Sequence, residues 1–427
     1  MGSSRTWQHL ERPRSSKRPV QSYFLARRQL PVPKGSSVYR NWHAFTEGYR
    51  ELGGSEVAIL SDATFTGELD GQLGPYAILN TVPDEVPFGR HGAPLVARIM
   101  WHLDQDLAAN AAHVFSEARQ DVSSYVGGTV ADQLIALIAL THEARVAVGG
   151  RVREFYPSDG PRGSPCDPGP DAHPLIVRGH RPVIPRAVRR QVPLNASLLA
   201  TFPLLTWEDA RAISRAARMY RRALWLADDD PQLSWLLLVG AAETLATQSS
   251  NATSTDDVSL FRSLEPDLCN QIDSVDTDPA SAVISMVARR FATTMRVKRR
   301  FLDFLLKYGA VPPMPRPVPS LVGHFALDWS LPTLETALKT VYDCRSRALH
   351  DSVPFPAPMC EAPSSQMVRV AAREEVAWSE QPGHATYAYD AVWMVKDMPM
   401  NLATFAHIVR TAAVQWWQEL APPLPFR

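Results

Sequence analysis

The chain has 427 residues, more than one hydrophobic core usually organises, so two or three domains are expected. Its 44 Lys and Arg balance 44 Asp and Glu, which excludes a globally basic protein and leaves local charge clusters as the only basis for nucleic-acid binding. The longest apolar run, Leu233 to Ala242, is too short to cross a bilayer, so no membrane partner is expected.

Residues 1–40 are polar and basic (Arg5, Arg12, Arg14, Lys17, Arg18), without the apolar core of a secretory signal, and are expected to be poorly ordered. Residues 41–160 read as a mixed α+β module. Glu56 to Leu60 suits a short strand, and Leu95, Ala97, Ile99, Trp101 and Leu103 alternate as in a half-buried one. Thr129-Val-Ala-Asp132 is a capping-box pattern, which predicts a helix ended by Gly149-Gly150, with a strand from Arg151 to Tyr156 after it. Residues 161–195 are a Pro/Gly/Arg-rich linker. Its second half carries five arginines and no acid, and a solvated connector is expected there ahead of a phosphate-neutralising strip.

Residues 196–427 read as helical. Thr206 to Asp209 opens a helix that runs to about Ala227. Asp228-Asp-Asp-Pro231 stops it and starts the next, whose sequence LSWLLLVGAAETLA is apolar on nearly every side and predicts the middle of a bundle. Further helices are predicted from Pro279 to Tyr308, from about Pro332 to His350, and from Leu402 to Leu420. The four cysteines form no Cys-x-x-Cys pair, so free thiols and a cytoplasmic location are expected.

Three residues stand out chemically. Leu236, Gly240, Glu243 and Thr247 share a helix face, and Glu243 is the lone acid of that helix, so it needs a cation or donor. Leu334, Leu338, Val341, Arg345 and Ala348 form another stripe, on which Arg345 interrupts an apolar series and needs an acceptor. Glu243 is the expected one, and Arg347 points elsewhere. His350 lies about 140° around the helix from Arg345, yet both reach one groove at the helix end. A fixed guanidinium that holds a phosphate and an imidazole that moves a proton suffice in kind for metal-free RNA cleavage.

The stretch Arg345-Ser-Arg-Ala-Leu-His350, led in by Val-Tyr-Asp-Cys, together with Tyr220 to Glu243, resembles a HEPN domain of the ApeA-like bacterial type, a helical bundle with an Arg-x(4–6)-His motif late in the chain and an acid on its central helix. The resemblance covers residues 200–350, and Ala131 to Tyr156 resembles the segment that precedes the domain. It implies a metal-independent endoribonuclease without cofactor, acting as a homodimer with two motifs in one composite site. It also implies a role in anti-phage defence or a toxin–antitoxin system, with an antitoxin or phage-derived trigger protein as partner. A non-catalytic HEPN-like module that binds RNA or a protein is the alternative. Two positions depart from the family pattern: Ser346 follows the motif arginine where Asn, Asp or His is common, and Asp351 follows His350 where Gly is common. Ser346 therefore enters as an RNA-binding candidate only.

Two cationic stripes are candidates for a phosphate path or for solvated helix faces: Arg211, Arg215, Arg218 and Arg222 on one helix, and Arg289, Arg296 and Arg300 on another. Other templates fail. Val146 stands where a zinc-protease helix begun by His142-Glu143 needs its second histidine, the glycine pairs lack nucleotide-loop spacing, and there is no Gly-x-Ser-x-Gly elbow.

Overall fold

A computed structural model of the chain describes residues 34–80, 95–102, 125–156, 160, 162–166, 181–188, 190–250, 257–274, 280–319, 325–383, 386–388 and 391–422. The basic N-terminal stretch through residue 33 and residues 167–180 of the expected linker lie outside them. Residues Pro33–Arg427 form one compact unit.

Residues 37–40, which composition assigns to a poorly ordered stretch, are helical. Ser36 caps helix α1 (Ser37–Thr46) by accepting a hydrogen bond from the Tyr39 amide, and Val38, Tyr39 and Trp42 are buried beneath it. A sheet follows, built from β1 (Gly53–Ser61), β3 (Leu69–Leu73), β4 (Tyr76–Asn80), β5 (Leu95–Trp101), β6 (Val146–Phe155) and β7 (Ser164–Pro165), in the spatial order β3-β4-β5-β1-β6-β7. Its described pairings are antiparallel, with Val57 opposite Ala97 in the centre. The helix opened by Thr129 is α2 (Val130–His142), and its capping box with Asp132 is formed.

Gly149-Gly150 does not end α2. The helix stops at His142, where Glu143 enters the left-handed region (φ 52) and its amide bonds Ala139 O. The glycines instead lie within β6, where a Cβ on Gly149 would stand 3.1 Å from Ala58 of β1. They permit a close approach between strands.

The arginine-rich segment is not a solvated connector where it is described. Ile184, Ala187, Val188 and Val192 are buried, and β8 (Gln191–Pro193) pairs in parallel with β2 (Thr64–Thr66). Arg186 donates to Met314 O at 2.8 Å and Arg190 to His142 O at 2.8 Å, so these cations close backbone carbonyls.

The helical region holds α3 (Trp207–Leu226), α4 (Pro231–Ser249), α5 (Asp257–Leu264), α6 (Pro266–Asp273), α7 (Ala280–Tyr308), α8 (Leu331–His350) and α9 (Leu402–Leu420). Asp230 caps α4 and Pro231 sits in its first turn. The fully buried Trp235 of α4 stacks between Phe355 at 5.1 Å and Phe405 of α9 at 4.9 Å. The C-terminal part is not wholly helical. β9 (Ser365–Val370) pairs with β10 (Arg373–Trp378), and β11 (Thr386–Ala388) with β12 (Ala391–Trp393).

The chain is thus a sheet-rich N-terminal region followed by a helical C-terminal region, and one hydrophobic core runs through both, from Val38 to Trp417. α2 packs on α3, and the buried Arg145 beside α2 pairs with Asp62 of the sheet region and, at 2.8 Å, with Asp228 at the end of α3. Among the described residues no helix is long and apolar enough to cross a membrane, and the four cysteines form no disulfide.

Candidate functional site

Helices α3, α4, α7 and α8 line an open cavity of about 740 Å³. Its position follows from local sequence. Thr206 accepts from the Asp209 amide at 3.2 Å and fixes the start of α3, and Gln248 near the end of α4 donates to Asp209 at 2.9 Å. The two helices are thereby pinned antiparallel, and the Arg211–Arg215 face of α3 is set beside the Gly240–Glu243–Thr247 face of α4. Pro332 opens α8, which ends at His350 at the rim.

Arg345 and Glu243 meet as the stripes require: Nη2 donates to Glu243 Oε2 at 2.9 Å, with side chains 24% and 16% exposed. The other carboxylate oxygen, Oε1, is closed off, and no donor meets it in full hydrogen-bond geometry. The Tyr342 phenol is the group that faces this carboxylate. Burial, then the Glu243 charge, pushes that phenol up to about 12, so it stays protonated as a donor. The Tyr342 ring also lies beneath Arg345, 5.7 Å from the guanidinium carbon, and rests against Phe301 of α7. Arg345 is therefore fixed by a carboxylate and an aromatic face, with its remaining donors available to a ligand.

Arg211 and Arg215 join Arg345 and His350 around the cavity. Arg211 stacks on Trp207 at 4.8 Å, and Arg215 donates to Tyr125 O at 3.1 and 2.6 Å. Burial, then the neighbouring Arg211, lowers the Arg215 guanidinium, as like charges held together do. Cations so gathered favour an anion between them. His350 is exposed, and among the described residues no hydrogen bond orients its ring.

Other candidates lie elsewhere. Arg218 is drawn to Val126 O, away from the cavity, and Arg222 is exposed farther along α3. Arg296 pairs with Asp257 at 2.6 Å, and Arg300 donates to Arg296 O at 3.1 Å. Ser346 does not line the cavity, and Arg347 turns back to Cys344 Sγ at 3.2 Å. Sequence reasoning overlooked Tyr342, Thr244 and Gln248, which line the cavity. Their signal was positional, since Tyr342 is three residues before Arg345 and Thr244 and Gln248 adjoin the Glu243–Thr247 face. Comparison of the chain with protein-family models, with curated proteins and with solved structures found no match.

Proposed function

We propose that the chain is a HEPN-type endoribonuclease that cleaves RNA without a metal ion, at Arg345 and His350, in bacterial anti-phage defence or a toxin–antitoxin system. The observation that carries this reading is the convergence of Arg345, His350, Arg211 and Arg215 on one cavity. Arg345 contacts the scissile phosphate and stabilises the charge that builds as the 2′-oxygen attacks. The new bond joins that oxygen to phosphorus, and the bond to the 5′-oxygen breaks. His350 moves a proton in this exchange, by removing it from the 2′-hydroxyl or delivering it to the leaving oxygen. A homodimer that places two such pairs face to face supplies both proton transfers. Glu243 and Tyr342 hold Arg345, and Arg211 and Arg215 bind flanking phosphates.

The unoriented imidazole of His350 favours a second reading, a module that binds RNA or a protein partner through this surface without cutting. One comparison separates the two. Wild type is expected to cleave single-stranded RNA in chelator, and His350→Ala to do so 10²- to 10⁴-fold more slowly, the range for loss of a general acid–base group. Salt-dependent RNA binding without cleavage by wild type would favour the second reading.

A further inference from the structure

Helix α7 extends beyond the cavity, and its outer face has a one-sided charge. No Asp or Glu occurs from Ala280 to Leu302. Several of its cations are already tied: Arg296 to Asp257, Lys298 to Asp343 and Glu265, Arg299 to Asp303. Arg289 and Arg290 are exposed and have no ion-pair partner among the described residues. Met286 beside them is 66% exposed.

Helix periodicity joins these residues to the cavity. Val297 lines it. At 100° per residue, Arg290 and Met286 lie within about 20° of Val297, and Arg289 and Arg300 lie about 60–80° to one side of that line. The rise of the helix puts Arg290 about 10 Å and Met286 about 16 Å from Val297. A polyanion leaving the cavity over Val297 therefore meets two available guanidinium groups and then an exposed, adaptable thioether.

We propose that this face of α7 is a second surface for the RNA strand, with Arg289 and Arg290 on phosphates and Met286 against a base, holding roughly two to three nucleotides beside the cavity. The inference rests on RNA as the ligand of the cavity, but not on cleavage there. An acidic protein helix is the competing occupant. It needs a continuous apolar stripe, whereas along the line through Val297 the charged Arg290 separates Val297 from Met286 and the partly exposed Val283, and the exposed Phe291 lies about 120° away, a pattern suited to a phosphate backbone.

The test uses full-length His350→Ala protein, with fluorescence anisotropy of labelled 4- and 12-nucleotide single-stranded RNAs at several salt concentrations. The added change Arg289→Ala/Arg290→Ala at exposed helix positions is expected to weaken 12-mer binding about tenfold and to reduce the salt slope by about 1.4, as for two lost phosphate contacts. Binding of the 4-mer is expected to stay within twofold, and the melting temperature to be unchanged. Unchanged 12-mer affinity would overturn the proposal, and so would an equal loss for both RNAs. So would a wild-type chain that binds no RNA yet binds a synthetic Glu/Leu amphipathic helix through Arg289 and Arg290. Failure of wild type to cut, with the length-dependent loss retained, removes the nuclease reading and leaves the surface standing.

Discussion

Arg345 and Glu243 show how one pair serves both fold and site. Each is mostly buried and each would be costly alone, so breaking the pair leaves an uncompensated charge. Glu243→Ala is expected to destabilise by roughly 1–3 kcal/mol, below the range for a fully buried pair because both side chains keep some solvent. Urea unfolding measures it. Arg345→Lys keeps the charge but loses the planar fork, and cleavage is expected to fall roughly 10²- to 10³-fold with the fold intact. His142 gives a separate, pH-dependent test. Burial, and after it the nearby Arg410 and Arg190 charges, lowers this imidazole to about 4, and its Nε2 accepts from the Asn195 amide at 3.0 Å. The folded state therefore disfavours the proton. Its contribution is complete above the unfolded value near 6.5 and is lost as pH falls through about 4, an interval worth about 3 kcal/mol. A His142→Gln variant should show a flatter loss of stability than wild type between pH 7 and 4.5. Equal slopes would contradict this assignment.

At the scale of elements, α4 is the organising piece. Trp235 anchors it between Phe355 and Phe405, and Trp235→Ala is expected to cost about 3–5 kcal/mol by calorimetry or urea titration. Gly240 lies where α4 lines the cavity, and an added Cβ would meet only the flexible Met219 sulfur, at 3.3 Å. Gly240→Ala should therefore leave stability unchanged or raise it by up to about 1 kcal/mol, through helix propensity. The starts of α3, α4 and α8 were legible because caps and prolines act locally, and so was the Arg345–Glu243 pairing, because two helical stripes each carried one charge that needed a partner. The hairpins of β9–β12 were missed among long helices because strands this short carry little periodicity. Which arginines of α3 face the cavity was not legible either. All four share a stripe, and the loop before α2 accepts from Arg215 at Tyr125 O and from Arg218 at Val126 O, yet of the four only Arg211 and Arg215 line the cavity.

At the scale of the whole molecule, the change of composition near residue 160 does not mark a break in the core. The segment that looks like a linker buries Ile184 and Val192, and Arg145 joins the sheet region to α3 through two carboxylates. Arg145→Ala strands those acids and is expected to cost about 3–5 kcal/mol, lowering the stability of both regions together. Two separate unfolding transitions, only one of them shifted, would argue against this coupling. The function proposed for the cavity stands or falls on one measurement: analysis of the RNA ends made by wild type and by His350→Ala in the presence of chelator. Cleavage by wild type that leaves 2′,3′-cyclic phosphate and 5′-hydroxyl ends, and fails on a 2′-deoxy substrate and in the variant, is the predicted result. Cleavage by His350→Ala at the wild-type rate would contradict it.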